Sequence, residues 1–307
     1  MKLHNHSAQK YLVTGGEGFI GSKLVQKTSG LSFDIKSGYD ILDTKKLQKE
    51  IASIASTGDA GGIFHCAAKI SVPESIQFPE EYYRTNVEGT RSVIKAAEAA
   101  KAVGEIKAIQ RVNQKIIFSS SAAVYGEVSL PVNESFTLNP KSPYGENKTE
   151  GEELLRKVLA PPSIVLRYQN VYGPGQSSEY AGVITIFILS ALKGLDIVIF
   201  GDGGQVRDFV FVDDVVDANI AAMNYRNKSF EIFNIGSGVG VSINKLAKTI
   251  IKLTNSSSRI VYKPARLGDI VFSQADISKA KNILGWAPKV SFEDGLRQTI
   301  SYYRKQV

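Results

Sequence analysis

Lys10-Tyr11-Leu12-Val13-Thr14-Gly15-Gly16-Glu17-Gly18-Phe19-Ile20-Gly21-Ser22-Lys23-Leu24-Val25 is the stretch that decides the fold. A short apolar run ends on a G-x-x-G-x-x-G spacing and passes directly into a helix-like pattern. Glycines at such positions permit a tight turn and let the backbone approach a pyrophosphate, while the first N–H groups of the following helix face the phosphates. Gly15, Gly18, Phe19, Ile20 and Gly21 are therefore expected to hold a dinucleotide. Asp34 closes Leu-Ser-Phe-Asp nineteen residues after Gly15, near the ~20 at which a carboxylate takes the adenosine ribose hydroxyls. A carboxylate there disfavours a 2′-phosphate, so NAD is expected rather than NADP. The plainer reading of Asp34 is an ordinary turn acid.

Outward from that stretch, buried-looking strands alternate with amphipathic segments. GIFHCAA (62–68) precedes TNVEGTRSVIKAAEAAKAV (85–103), KIIFSSS (115–121) precedes YGENKTEGEELLRKVL (144–159), and SIVLRY (163–168) follows. Such alternation implies βαβ units and an α/β fold with a Rossmann-type, doubly wound parallel sheet. Beyond YGPGQ (172–176) the chain mixes short strands such as DIVIF and EIFNIG with helices near 242–253 and 292–304. The expected organisation is an NAD-binding domain over 1–170, to which later segments are free to return, and a smaller α/β substrate-binding lobe mainly over 171–307. Ligands of open α/β sheets lie at the carboxyl ends of the strands, which places the site beneath that lobe.

Composition excludes several classes. The chain has 307 residues, 43% hydrophobic and 22% charged, as expected of a globular protein with a sizeable core. One cysteine, Cys66, excludes an intramolecular disulfide framework and fits a reducing compartment. MKLHNHSAQK lacks the apolar run of a signal peptide, and residues 183–192 are too short an apolar stretch to span a bilayer. A cytoplasmic protein with no membrane partner is expected. The net charge of +7 comes from Lys and Arg scattered among acids, as in KTEGEELLRK. That reads as a solvated surface, not as a nucleic-acid footprint. No metal site is expected.

Tyr144-Gly145-Glu146-Asn147-Lys148 is a Y-x-x-x-K pair. Positions i and i+4 of a helix share a face, so a phenol and an ammonium can address one ligand. A phenol is a poor base at its ordinary pKa near 10, and a neighbouring cation favours its ionised form. Upstream, KIIFSSS ends in Ser119-Ser120-Ser121, whose hydroxyls are placed to relay a proton between substrate and tyrosine. Asp213 and Asp214 are expected to cap a helix. Gly236-Ser237-Gly238 reads as a plain turn, and His65 and Trp286 as packing residues.

Taken together, TGGEGFIGS, HCAAKISVPES, TNVEGT, FSSSAAVYGE, SPYGENKTEGE, LRYQNVYGPGQ, FGDGGQVRDFVFVDDVV and ARLGDIVFSQADISKA resemble the NAD-dependent epimerase/dehydratase family of extended short-chain dehydrogenases. Within it the likeness is closest to the UDP-glucose (galactose) 4-epimerases, and it runs from Tyr11 to about Gln298. The resemblance implies Ser121, Tyr144 and Lys148 as the catalytic set. It implies further cofactor contacts at Asp40 and Ile41 beside the adenine, at Cys66, Ala67 and Ala68 under the pyrophosphate, and at Asn86, Ser119 and Tyr168. For a UDP-sugar it implies Asn170, Arg207 and Arg266 on the diphosphate, Asp269 on the nucleoside ribose, and Ser273 as a size gate toward the sugar. Guanidinium forks suit a diphosphate bidentately.

Dehydratases of this family carry an Asp-Glu pair after the serine strand, and decarboxylases a glutamate; here Ala122 and Ala123 stand in that segment. Epimerisation at C4 is thus the implied reaction, through a 4-keto sugar with tightly bound NAD. An epimerase of UDP-glucuronate or a UDP-pentose and a non-catalytic NAD-binding regulator are the alternatives. The resemblance also implies a homodimer, through helices beginning near Thr85 and Tyr144. Two departures stand out: the stretch between Gly21 and Asp34 is short for the family, and Gln169 replaces a common aromatic.

Overall fold

The computed structural model describes residues 10–55, 60–102, 115–158, 162–177, 182–226, 229–265 and 270–307. In chain order its first half runs β1 (Lys10–Thr14), α1 (Phe19–Thr28), β2 (Leu31–Phe33), α2 (Thr44–Ala55), β3 (Ala60–His65), α3 (Val72–Gln77), α4 (Pro79–Tyr83), α5 (Gly89–Ala102), β4 (Lys115–Ser121), α6 (Pro143–Arg156) and β5 (Ser163–Tyr168). The second half runs β6 (Asn170–Tyr172), α7 (Val183–Leu192), β7 (Ile197–Phe200), β8 (Val206–Phe211), α8 (Val212–Asn224), β9 (Phe230–Ile235), β10 (Gly240–Ser242), α9 (Ile243–Thr254), β11 (Ile260–Lys263), β12 (Phe272–Ser273) and α10 (Phe292–Arg304).

A six-stranded sheet has the order β2-β1-β3-β4-β5-β9. Strand β1 pairs parallel with β2 on one side and β3 on the other, and β3 pairs parallel with β4. This is the Rossmann-type parallel sheet expected from the alternation. The order reverses between β1 and β3, and ligands of such sheets bind where it reverses. The loops leaving those two strands are the glycine loop and Cys66-Ala67-Ala68. The short stretch after Gly21 is explained by a ten-residue α1 that stops at Ser29, which is left-handed (φ 53°), only two residues before β2.

The chain divides into two compact units. One holds residues 1–120, 146–166 and 222–232; the other holds 121–145, 167–221 and 233–307. The first is built on Leu12, Phe33, Ile63, Ile116, Phe118 and Val165, packed against Leu47, Ile51, Val93 and Leu155 of the flanking helices. Its buried Lys115 crosses under α8, donating to the carbonyls of Ala222, Met223 and Tyr225. A cation suits the carbonyl end of a helix. The second unit carries β10-β8-β12, with β6 also paired to β8, and a separate β11-β7 pair. Helix α7 is apolar nearly all round and is buried through Ile184, Phe187 and Ile188 in a core shared with Leu246, Ile250 and Leu296.

Candidate active site

Each loop of the first unit is shaped by what its residues cannot hold. Gly15 has φ +68°, and a Cβ there would stand 2.7 Å from the Ala67 nitrogen; one at Gly21 would stand 2.0 Å from the Gly15 carbonyl. Only glycine lets β1 turn this close to the loop after β3. Gly18 precedes α1 without any side-chain cap bond, so the first-turn N–H groups of Phe19, Ile20 and Gly21 are offered to a ligand. Such a backbone fits a pyrophosphate. Asp34 is buried and already occupied in part: its carboxylate accepts from Glu17 N (3.0 Å) and from Lys36 N (3.0 Å). It therefore ties the glycine loop to the end of β2. Asp40 accepts from Leu42 N within its own turn, and Ile41 is buried in the core.

The loop after β3 is held from several sides. Cys66 N donates to Thr14 O (3.0 Å) and Ala67 N to Thr14 Oγ1 (3.3 Å). Asn86, within a π-helical turn (Arg84–Glu88), clamps the residue after Ala68, accepting from Lys69 N and donating to Lys69 O. Such turns often mark functional positions. His65 bridges Thr14 and Thr90 at 2.8 and 2.9 Å. Burial and the Lys148 charge push it down to about 3, so it is a neutral packing residue. Burial pushes the Cys66 thiol up to about 11, and the Ser119 hydroxyl donates to its sulfur at 3.4 Å.

The three serines at the end of β4 have three different partners. Ser119 turns to Cys66. Ser120 donates to Glu152 at 2.6 Å. Ser121 lies beside the Tyr144 phenol and accepts from Ala123 N at 3.2 Å. Helix α6 presents the other half of the set. Ser142 accepts from Gly145 N and Pro143 starts the helix, a favoured opening. A Cβ at Gly145 would stand 2.8 Å from Ala123 O, so glycine lets the first turn of α6 close on the segment after β4. Tyr144 lies in that turn and Lys148 one turn later.

Lys148 is buried, donates to Ser119 O at 2.7 Å and lies 5.0 Å from the Phe118 ring centroid. Burial lowers its pKa to about 8, against the opposing pull of Cys66 and Glu152. Burial raises the Tyr144 phenol above its ordinary value, with the neighbouring Ser121 hydroxyl pulling it back. The phenol in this structure is thus a weaker acid than a free tyrosine, whereas Y-x-x-x-K spacing predicts a stronger one. Desolvation outweighs the favourable partner.

In the second unit, Tyr168 donates to Asn219 at 3.0 Å, and the Asn170 amide donates to the Asp208 carbonyl at 3.1 Å. Arg207 on β8 is in register with Ser273 of β12, and Ser273 donates to Gln169 Oε1 at 3.0 Å. Arg266 and Asp269 lie outside the described residues. Asp208 was not singled out by the sequence, yet it is fully buried. Its carboxylate accepts from Ser237 N, Ser237 Oγ, Gly238 N and Ala275 N. Those bonds occupy the Gly236-Ser237-Gly238 turn. Asp214 departs from its expected capping role, because α8 already begins at Val212; its carboxylate binds Lys289 N and Val290 N instead. Glu152 was also missed, within a stretch that reads as solvated. Its position eight residues after Tyr144, in phase with Lys148, was the available signal. Among the described residues no cluster suits a metal ion, and no helix is long and apolar enough to cross a membrane.

The model of the NAD dependent epimerase/dehydratase family matches residues 11–236. The chain belongs to this family. This epimerase/dehydratase member is 34% identical to a putative UDP-glucose 4-epimerase of Methanocaldococcus jannaschii, over 95% of the chain and 98% of the relative. A UDP-glucose 4-epimerase from Thermotoga maritima, solved with UDP-glucose, superposes with a TM-score of 0.86 at 37% identity, covering 97% of this chain and 99% of that one. A UDP-N-acetylglucosamine 4-epimerase from Methanobrevibacter ruminantium, in complex with UDP-N-acetylmuramic acid, gives 0.86 at 32% identity, covering 98% and 100%. Decarboxylases and a glucuronate epimerase are also among the relatives. The chain is an enzyme of this NAD-dependent group.

Proposed function

We propose that this chain is a 4-epimerase of UDP-hexoses, interconverting UDP-glucose and UDP-galactose and accepting their N-acetylated counterparts. One observation carries the reading: the Ser121 hydroxyl lies near enough to the Tyr144 phenol to oppose the rise of its pKa, while Ala122 and Ala123 leave the next two positions without an acid. A phenol and a hydroxyl stand together for the C4 oxygen, and the phenol serves as acceptor in its ionised form; the groups that elimination or decarboxylation demand are not provided.

In this reading Tyr144 takes the C4 hydroxyl proton, with Ser121 hydrogen-bonding the same oxygen, and the C4 carbon becomes a ketone. When bound, NAD supplies the reversible hydride acceptor. Tyr144 returns the proton after the 4-keto sugar has presented its other face. Gly15, Gly18, Phe19, Ile20 and Gly21 would hold the pyrophosphate, joined by Cys66, Ala67, Ala68 and Asn86. Asp34 would take the adenosine ribose, Asp40 and Ile41 the adenine, and Lys148, Ser119 and Tyr168 the nicotinamide end. Asn170, Arg207, Arg266 and Asp269 would keep the UDP anchored. The reading extends to a homodimer through α5 and α6.

Ser273 in the gate position supports the wider sugar range, because a small side chain leaves room for an acetamido group. Product analysis over UDP-glucose, UDP-N-acetylglucosamine, UDP-glucuronate and UDP-xylose, without added NAD, tests both parts. We expect 4-epimers of the first two. Ser273→Tyr should lower kcat/KM on the N-acetylated pair by about tenfold or more relative to glucose and galactose. An unchanged ratio removes the gate, and turnover confined to the uronate or pentose removes the hexose assignment.

A further inference from the structure

Resting on the epimerase reading above, we infer that Glu152 is a positioning residue for that reaction. Its buried carboxylate is the counter-charge that keeps Lys148 an ammonium ion, and it pins the end of β4 to α6. Glu152 follows Lys148 by four residues on α6, so the two side chains leave one face of the helix a turn apart. Glu152 is 1% and Lys148 4% exposed. They grip neighbouring residues of β4: Lys148 donates to Ser119 O at 2.7 Å, and Ser120 Oγ donates to Glu152 Oε1 at 2.6 Å. A Cβ at Gly151 would stand 2.7 Å from Phe118 Cζ, so glycine lets the same turn close on the residue of β4 just before them.

A cation this deeply buried is costly unless an opposite charge meets it. Three other titratable groups stand around Lys148, and none of them supplies one. His65, at the end of β3, is neutral, and the Cys66 thiol, pushed up to about 11, is neutral as well. Tyr144, four residues earlier on α6, is a phenol whose burial favours its protonated form. Burial pulls Lys148 down to about 8, with Cys66 and Glu152 opposing the fall; with Cys66 protonated, that opposition rests on Glu152. The charge is not needed for the tie to β4, because a glutamine would accept the same bond from Ser120 without burying an anion. It is needed if Lys148 has to stay a cation, the form that favours an ionised phenol.

The test uses Glu152→Gln in the full chain as purified, a change that keeps an acceptor for Ser120 and removes the charge. Turnover of UDP-galactose should fall as pH rises through the Lys148 pKa, and Glu152→Gln should bring that fall about one pH unit lower. On the acid side of the fall, kcat should stay within about threefold of wild type. A kcat lowered equally at every pH, or an alkaline limb left in place, is what a merely structural tie gives, and either would overturn the inference. A second arm needs no activity: Tm at neutral pH for wild type, Glu152→Gln, Lys148→Met and the double variant. Glu152→Gln strands a buried cation and removing that cation relieves it. The double variant should therefore melt at least as high as Glu152→Gln, and should fold even where Glu152→Gln does not. Losses that simply add, or a double variant that is unfolded whenever Glu152→Gln is, would overturn the pairing. Wild type inactive on every UDP-sugar would end the epimerase reading, and the melting cycle would still decide whether Glu152 serves Lys148.

Discussion

Tyr144→Phe is expected to lower kcat by about 10²- to 10⁴-fold, the range for loss of a positioned acid–base group, while UDP-sugar affinity stays within about twofold. The change removes one oxygen and keeps the ring that fills the buried first turn of α6. Ser121 keeps its bond from Ala123 N, so the segment after β4 should hold its shape. The anchoring of the UDP group is assigned to other residues, Asn170 and Arg207 among them. An effect on turnover without one on binding is therefore the signature of a proton-transfer role. Steady-state kinetics with calorimetric binding of UDP-galactose provide the check. A variant with near-normal turnover would remove Tyr144 from the chemistry.

The largest expected loss of stability is at Asp208. Its carboxylate collects four bonds from Ser237, Gly238 and Ala275 in a fully buried position. Burial raises its pKa, and those same bonds oppose the rise. Asp208→Ala leaves one buried and three part-buried donors without their acceptor, at a cost of about 3 kcal/mol. In a chain of this size that corresponds to a fall in Tm of about 5 °C. Asp208→Asn retains one acceptor oxygen and should fall between the two. A Tm within about 1 °C of wild type for Asp208→Ala would show that the turn does not depend on this carboxylate.

The glycine loop was legible because its constraint is local. A positive φ at Gly15 and the closeness of Gly21 to Gly15 follow from one short turn, and the sequence spells that turn directly. Tyr144 and Lys148 were legible for the same reason, since helical spacing alone sets them one turn apart. Spacing made the serines legible only as a group, and the resemblance alone told Ser121 from Ser119, because the partners of Ser119 and Ser120 lie on distant segments. Glu152 and Asp208 were not legible at all. Glu152 sits in a stretch that reads as a solvated face and Asp208 opens an apolar strand run, and the burial of both carboxylates depends on what the fold packs over them. The acidity of Tyr144 went the same way: spacing supplies the cation, but only the packed structure shows that burial opposes it.

The most direct test of the central claim is conversion of UDP-galactose deuterated at C4, with no NAD added. The account predicts UDP-glucose carrying the deuterium still at C4, because the hydrogen removed there is the one returned. A product that has lost carbon dioxide, a product with the label washed out, or no conversion until NAD is supplied in stoichiometric amounts would contradict it.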